Sequence, residues 1–100
     1  MTMTIKTQKN GTELTIAISG RLDTSTAPKL DAAIKDEISG VTALTFDVKE
    51  LEYISSAGLR VLLSAQKVMN TQGEMKVINA SETVMEIFEI TGFTEILTIA

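Results

Sequence analysis

The run Glu50-Leu51-Glu52-Tyr53-Ile54-Ser55-Ser56-Ala57-Gly58-Leu59-Arg60-Val61-Leu62-Leu63 changes character in its middle. It reads as extended chain up to the serines, and from Gly58 onward its apolar residues recur at helical spacing, so a strand hands over directly to a helix. Ser55 and Ser56 sit at the seam. Both are good N-cap types, because a hydroxyl oxygen there accepts from the backbone N–H groups that a helix's first turn leaves unpaired. The seam is also crowded with small residues. Ser55-Ser56-Ala57-Gly58 carries no bulky side chain, which leaves a hydroxyl exposed at the head of the helix and open to a partner's approach.

Just upstream, Leu44, Phe46 and Val48 alternate with Ala43, Thr45 and Asp47, which predicts a strand over Val41–Val48. Asp47, Glu50 and Glu52 near its end are candidates for a metal or for steering a basic partner. No further ligands stand at metal spacing, so they are read as a solvated loop. Downstream, Val61, Leu62, Ala65, Val68 and Met69, widened by Leu59 and Leu63, predict a helix from Gly58 to about Thr71 that ends at Gln72-Gly73. Met75–Ile78 is a short strand. Ser81 is the expected cap of a last helix with Val84, Ile87 and Phe88 inward, Gly92 as its C′ residue and Phe93 tucked behind. Glu95–Ile99 is left open between a short strand and a loose tail.

At the other end, Met3–Ser19 reads as a β-hairpin about Asn10-Gly11, a pair suited to a two-residue type I′ turn. That turn sets Lys9 opposite Thr12, Thr7 opposite Leu14, Ile5 opposite Ile16 and Met3 opposite Ile18. One face then holds Met3, Ile5, Leu14, Ile16 and Ile18, and the other is wet. Gly20–Pro28 is the expected connection to a helix with hydroxyl caps and Pro28 in its first turn. Leu30, Ala33, Ile34 and Ile38 follow at helical spacing, with Gly40 as the stop. Asp23, just before this helix, either contacts a ligand or satisfies the loop backbone, the commoner use of an aspartate there.

The resulting order, β-β-α-β-α-β-α, predicts one α/β domain over residues 1–100, with a mixed sheet of four to five strands and helices on one or both faces. In open α/β sheets the functional edge lies at strand carboxyl ends, where Ser55 and Ser56 fall. Nine basic and thirteen acidic residues leave a net charge of -4, which argues against non-specific nucleic-acid binding and against adhesion to anionic membranes. No apolar run is long enough for a bilayer, and the N-terminus has no charged-then-apolar leader pattern, so the expected compartment is the cytoplasm. The chain has neither cysteine nor histidine. Disulfides, thiol chemistry, the usual zinc sites and the commonest general base are thereby excluded, and neither a metal nor a cofactor is expected.

Three chemistries compete at the seam. Ser56-Ala57-Gly58 looks like half of a G-x-S-x-G elbow, but Ile54 stands where the first glycine belongs and no histidine can take the hydroxyl proton. A phosphate-binding helix N-terminus lacks a glycine-rich cradle. In the third reading the serine is itself a substrate. Phosphorylation adds about -1.5 to -2 charge, which a helix N-terminus tolerates while the exposed surface changes sign and size. Arg60, one turn on, is either a partner for that phosphate or a plain solvated arginine.

The stretch Tyr53–Leu63, with the strand Ala43–Val48 before it and Ile18–Leu30 upstream, resembles the STAS domain of bacterial anti-sigma factor antagonists over nearly the whole chain. The resemblance implies a non-enzymatic partner switch. The unphosphorylated antagonist binds an anti-sigma factor that is also a serine kinase and so frees the sigma factor. Phosphorylation ends that binding, and a phosphoserine phosphatase resets the switch. Matched motif to motif, the acceptor is Ser56, with Ser55 the second candidate. Asp23 falls at the family's recurring acidic position, and the implied partner-binding set is Asp23, Thr24, Ser55, Ser56, Ala57, Gly58 and Arg60. The familiar pattern is Asp-Ser-Ser-Gly-Leu-Gly. Here Ser55 replaces the aspartate, Ala57 the second serine and Arg60 the last glycine, which alters the charge beside the acceptor. The other reading is a constitutive STAS scaffold subunit of a transporter or stress-signalling complex, in which the serine is only a cap.

Overall fold

Alternating apolar residues and three amphipathic stretches fold as expected in kind, with two shifts that matter at the seam. The computed structural model describes residues 3–100. Its elements are β1 (Met3–Asn10), β2 (Glu13–Leu22), α1 (Ala27–Glu37), β3 (Ala43–Ile54), α2 (Ser56–Gln72), β4 (Glu74–Ile78), α3 (Glu82–Thr91) and a short 3-10 turn (Phe93–Glu95). The expectation of no leader pattern rests partly on Met1 and Thr2, which lie outside the described residues. Among the described residues no helix is long and apolar enough to cross a membrane.

The four strands form one sheet in the order β1-β2-β3-β4, antiparallel for the first pair and parallel for the other two. Leu14, Ile16, Ile18, Leu44, Phe46, Val48, Met75 and Val77 point to one face and are buried. They join Leu30 and Ile34 of α1, Leu62 and Met69 of α2, and Val84 and Phe88 of α3 in a single core. Each such side chain contributes about 1.5–3 kcal/mol when fully buried. The opposite face is open. Thr4, Lys6, Gln8 and Lys76 are exposed on it, and Thr15, Ala17, Thr45 and Asp47 half-exposed.

The hairpin register differs from expectation. Asn10 pairs with Glu13, Thr7 with Ile16, Ile5 with Ile18 and Met3 with Gly20, so the turn residues are Gly11-Thr12. Only Gly11 has a positive φ there, +64°, which suits a II′ turn with glycine first rather than the predicted I′ turn. β1 is thereby displaced by two residues. Two is the side-chain period of a strand, so the same residues stay inward and the apolar pattern cannot register the slip.

β2 and β3 both outrun their predicted ends. Gly20-Arg21-Leu22 is strand rather than connection, and Asp47, Glu50 and Glu52 lie in β3 rather than in a loop. The reason is a pair of irregularities. β2 passes from Ala17 to Ser19 while β3 passes from Asp47 to Glu50, and again from Gly20 to Arg21 while β3 passes from Leu51 to Tyr53. Each extra residue resets the in-out alternation. Val48, Leu51 and Ile54, three apart, therefore all point inward and are buried. A spacing of three hides a strand from any test based on alternation.

The hydroxyl caps expected for α1 are absent. Thr26 is its N-cap residue but has helical dihedrals and makes no side-chain cap bond. Ser81 caps α3 by accepting from Val84 N–H, and Gly92 closes that helix at φ +79°, as expected. The tail adds one parallel bridge beside β4. Val77 N–H donates to Thr98 and Ala100 N–H to Val77, each at 2.9 Å.

Candidate functional site

Because β2 and β3 are parallel, their carboxyl ends finish side by side with Leu22 paired to Ile54. Two loops leave from that edge, and one backbone bond ties them. Ser55 N–H donates to the Leu22 carbonyl at 2.8 Å. This pins Ser55 in an extended conformation (φ -93°, ψ 175°), which makes it the N-cap residue and Ser56 the first residue of α2. The two serines consequently do different work. The Ser55 hydroxyl is half-buried and accepts from Gly58 N–H at 3.4 Å, while its carbonyl accepts from Leu59 N–H at 2.9 Å. Ser56 is exposed, and its hydroxyl makes no hydrogen bond among the described residues.

Gly58 explains how the helix starts so close to the sheet. A Cβ at that position would meet Leu22 Cγ at 2.6 Å and Ile54 Cγ1 at 2.9 Å. The residue is buried, so among the expected partner-binding residues it packs the helix onto the strand ends and offers no surface. Ala57 is half-buried, and Arg60 is exposed.

The second loop is held by Asp23. Its Oδ1 accepts from the Ser25 hydroxyl at 2.8 Å, Ser25 N–H at 3.0 Å and Thr26 N–H at 3.1 Å, and its carbonyl accepts from Ala27 N–H at 2.8 Å. Asp23 N–H donates to the Thr26 hydroxyl, which donates on to the Arg21 carbonyl, both at 2.8 Å. These bonds, the Ser25 hydroxyl first and then the loop N–H groups, hold the Asp23 carboxyl below its ordinary value despite some desolvation. The loop-backbone role is thus filled by Oδ1. Oδ2 lies 4.0 Å from Arg21 Nε, on a side chain about a quarter exposed, and Thr24 beside it is exposed.

Arg21 and Tyr53 stand at the same strand ends, and the sequence does not single them out. They are cross-strand partners, with the Arg21 guanidinium 4.3 Å from the Tyr53 ring centroid. Such a contact is worth about 0.5–1 kcal/mol at an exposed site. No signal pairs them in the sequence, because the irregular residues of β3 decide which side chains stand opposite.

The acidic residues of β3 do not gather. Asp47 accepts from Lys49 N–H and from the Asn79 side-chain amide, both at 3.1 Å, and Glu50 and Glu52 are exposed. Among the described residues no three acidic side chains converge to hold a metal. A polar depression of about 490 Å³ lies beside β4 and the far end of α2 from Ser56, and the carboxylates on it, Glu13 and Glu74, are both exposed.

Residues 4–100 match the STAS domain family model. The chain is 36% identical over 89 residues to a Bordetella bronchiseptica protein carrying the anti-sigma factor antagonist name BtrV, covering 87% of this chain and 77% of that one. It is 30% identical to the anti-sigma-B factor antagonist of Listeria monocytogenes, over 99% of this chain and 90% of that one. Its fold superposes on the Bacillus anti-sigma factor antagonist SpoIIAA, solved in an unphosphorylated form and in a phosphorylated form. The TM-scores are 0.84 and 0.76 at 21% and 20% identity, over 97% of this chain in both cases and 88% and 91% of those chains.

Proposed function

The chain belongs to the STAS domain family, and on that footing we propose that it is an anti-sigma factor antagonist switched at Ser56. In this reading the unphosphorylated protein docks its strand-end edge on an anti-sigma factor that is also a serine kinase, which releases the sigma factor. The kinase transfers the γ-phosphoryl group of ATP to the Ser56 hydroxyl, ADP leaves, and the complex falls apart. A phosphoserine phosphatase restores the hydroxyl by hydrolysis. The whole cycle runs in the cytoplasm.

The observation that carries the reading is the division of labour between the serines. Ser55 is spent on the cap, whereas Ser56 stands in solvent at the head of α2. A phosphate there needs no core rearrangement and faces the positive end of the helix dipole. It does place about two negative charges on the docking edge, where an uncompensated charge is costly to bury. Around it, Asp23 Oδ2 and Thr24 on the neighbouring loop and Arg60 on α2 supply the polar contacts of the dock.

Incubation with the cognate kinase and ATP, followed by mapping of the modified residue, tests the acceptor. Label on Ser56 is expected in the wild type and none in Ser56→Ala. Calorimetric titration of the kinase with Ser56→Asp is expected to show affinity lower by about tenfold or more. Equal affinity for Ser56→Asp and wild type would refute the switch and leave a constitutive scaffold.

A further inference from the structure

α2 carries its only two cations, Arg60 and Lys67, and no acidic residue at all. Arg60 is exposed, in the second turn from the end where the helix dipole is positive and a cation is disfavoured. The residues three and four positions away on the same helix face are Ser56, Ala57, Leu63 and Ser64, none of them charged. Among the described residues Arg60 makes neither a salt bridge nor a side-chain hydrogen bond. Helical fold alone gives this arginine no work. The situation changes if Ser56 carries a phosphate, because positions i and i+4 stack on one face and a helical side chain leans back over the preceding turn.

Resting on the phosphorylation reading above, we propose that Arg60 is the built-in partner of a phosphate on Ser56 and clasps it along the surface of α2. A guanidinium offers a planar fork of N–H donors that matches phosphate oxygens two at a time. Two further donors stand ready in the same turn. Gly58 N–H is taken by the Ser55 hydroxyl and Leu59 N–H by the Ser55 carbonyl, which leaves the N–H groups of Ser56 and Ala57 without an intrahelical partner. Among the described residues no neighbouring carboxylate lies within ion-pair distance of Arg60. Arg21 is stacked on Tyr53, Asp23 is bound by Ser25 and Thr26, and Glu50 and Glu52 project from β3 as exposed side chains. Phosphorylation then changes the docking edge twice, by adding negative charge and by withdrawing the Arg60 fork from any partner.

The test uses the full chain with phosphoserine incorporated at position 56 during translation, so that it needs no kinase. The phosphate of wild type and of Arg60→Gln is titrated by ³¹P NMR through its second ionisation near pH 6. A clasping cation favours the dianion, so the wild-type phosphate is expected to titrate on the order of half a pH unit below that of Arg60→Gln, with Arg60→Lys between them. In the wild type, without any substitution, the Arg60 Nε–H resonance is expected to shift and to exchange more slowly with water after phosphorylation. Coincident titrations, or an Arg60 resonance that ignores the phosphate, would overturn the clasp. Calorimetry against the kinase is read separately. A clasp without loss of the complex overturns the switch alone, and a lost complex with coincident titrations overturns the clasp alone.

Discussion

Gly58→Ala puts a methyl group where there is no room. The new Cβ would stand 2.6 Å from Leu22 Cγ, 3.0 Å from Leu22 Cδ2 and 2.9 Å from Ile54 Cγ1. Both neighbours are buried at the strand ends and belong to the core, so neither can swing into solvent. Forcing a methyl into a filled core costs about 1–3 kcal/mol, and two hard contacts belong in the upper half of that range. Alanine recovers about 1 kcal/mol through its better helix propensity. The net loss is about 1–2 kcal/mol, a fall in Tm of roughly 4–16 °C for a domain of this size. Thermal and urea unfolding of wild type and Gly58→Ala measure it, and Leu22→Ala supplies the control. In the Leu22→Ala background two of the three close atoms are gone, so the glycine change should cost less there than in the wild type. A Gly58→Ala protein as stable as wild type, or an equal cost in both backgrounds, would refute the packing argument.

Gly73→Ala should be worse, because the added Cβ falls onto the carbonyl oxygen of Thr42, backbone that cannot rotate away. Loss of cooperative unfolding, or a stability deficit larger than that of Gly58→Ala in the same urea titration, is the expected result. Ser55→Ala should cost about 0.5–1 kcal/mol, the low end for a lost N-cap given its 3.4 Å bond, whereas Ser56→Ala should be neutral within about 0.5 kcal/mol. Parallel melts separate the two, and equal losses would contradict the assigned roles. The carboxyl of Asp23 titrates below its ordinary value in the folded chain, so its stabilising contribution is present at neutral pH and disappears as pH falls through that lowered value. Asp23→Ala should therefore have a lower urea midpoint than wild type at pH 7, and the two should converge in acid. A gap that stays constant as the pH is lowered would count against the loop bonds as its source.

Much of this molecule is visible before folding. β2, β3, α2 and α3 show through alternation in Leu14–Ile18 and Leu44–Val48, helical spacing in Leu59–Met69 and Val84–Phe88, and the Ser81 and Gly92 signals, because those preferences are local. So does the seam itself, which needs only small, hydroxyl-bearing residues between a strand and a helix. Three matters escape local reading. The β1 register is one, since a displacement by two residues buries the same side chains and costs the pattern nothing. The course of β3 past Val48 is another. Its extra residues are defined only against β2, and they bring Arg21 onto Tyr53 and turn Leu51 and Ile54 inward. The third is which serine caps and which stands free. Either hydroxyl suits the N-cap chemically, and the choice falls to the Leu22 carbonyl, which holds Ser55 N–H in the last strand-like step and so leaves Ser56 to begin the helix. Backbone preference names the candidates from neighbours in the chain, but hydrogen bonds between strands that lie far apart in the chain select among them.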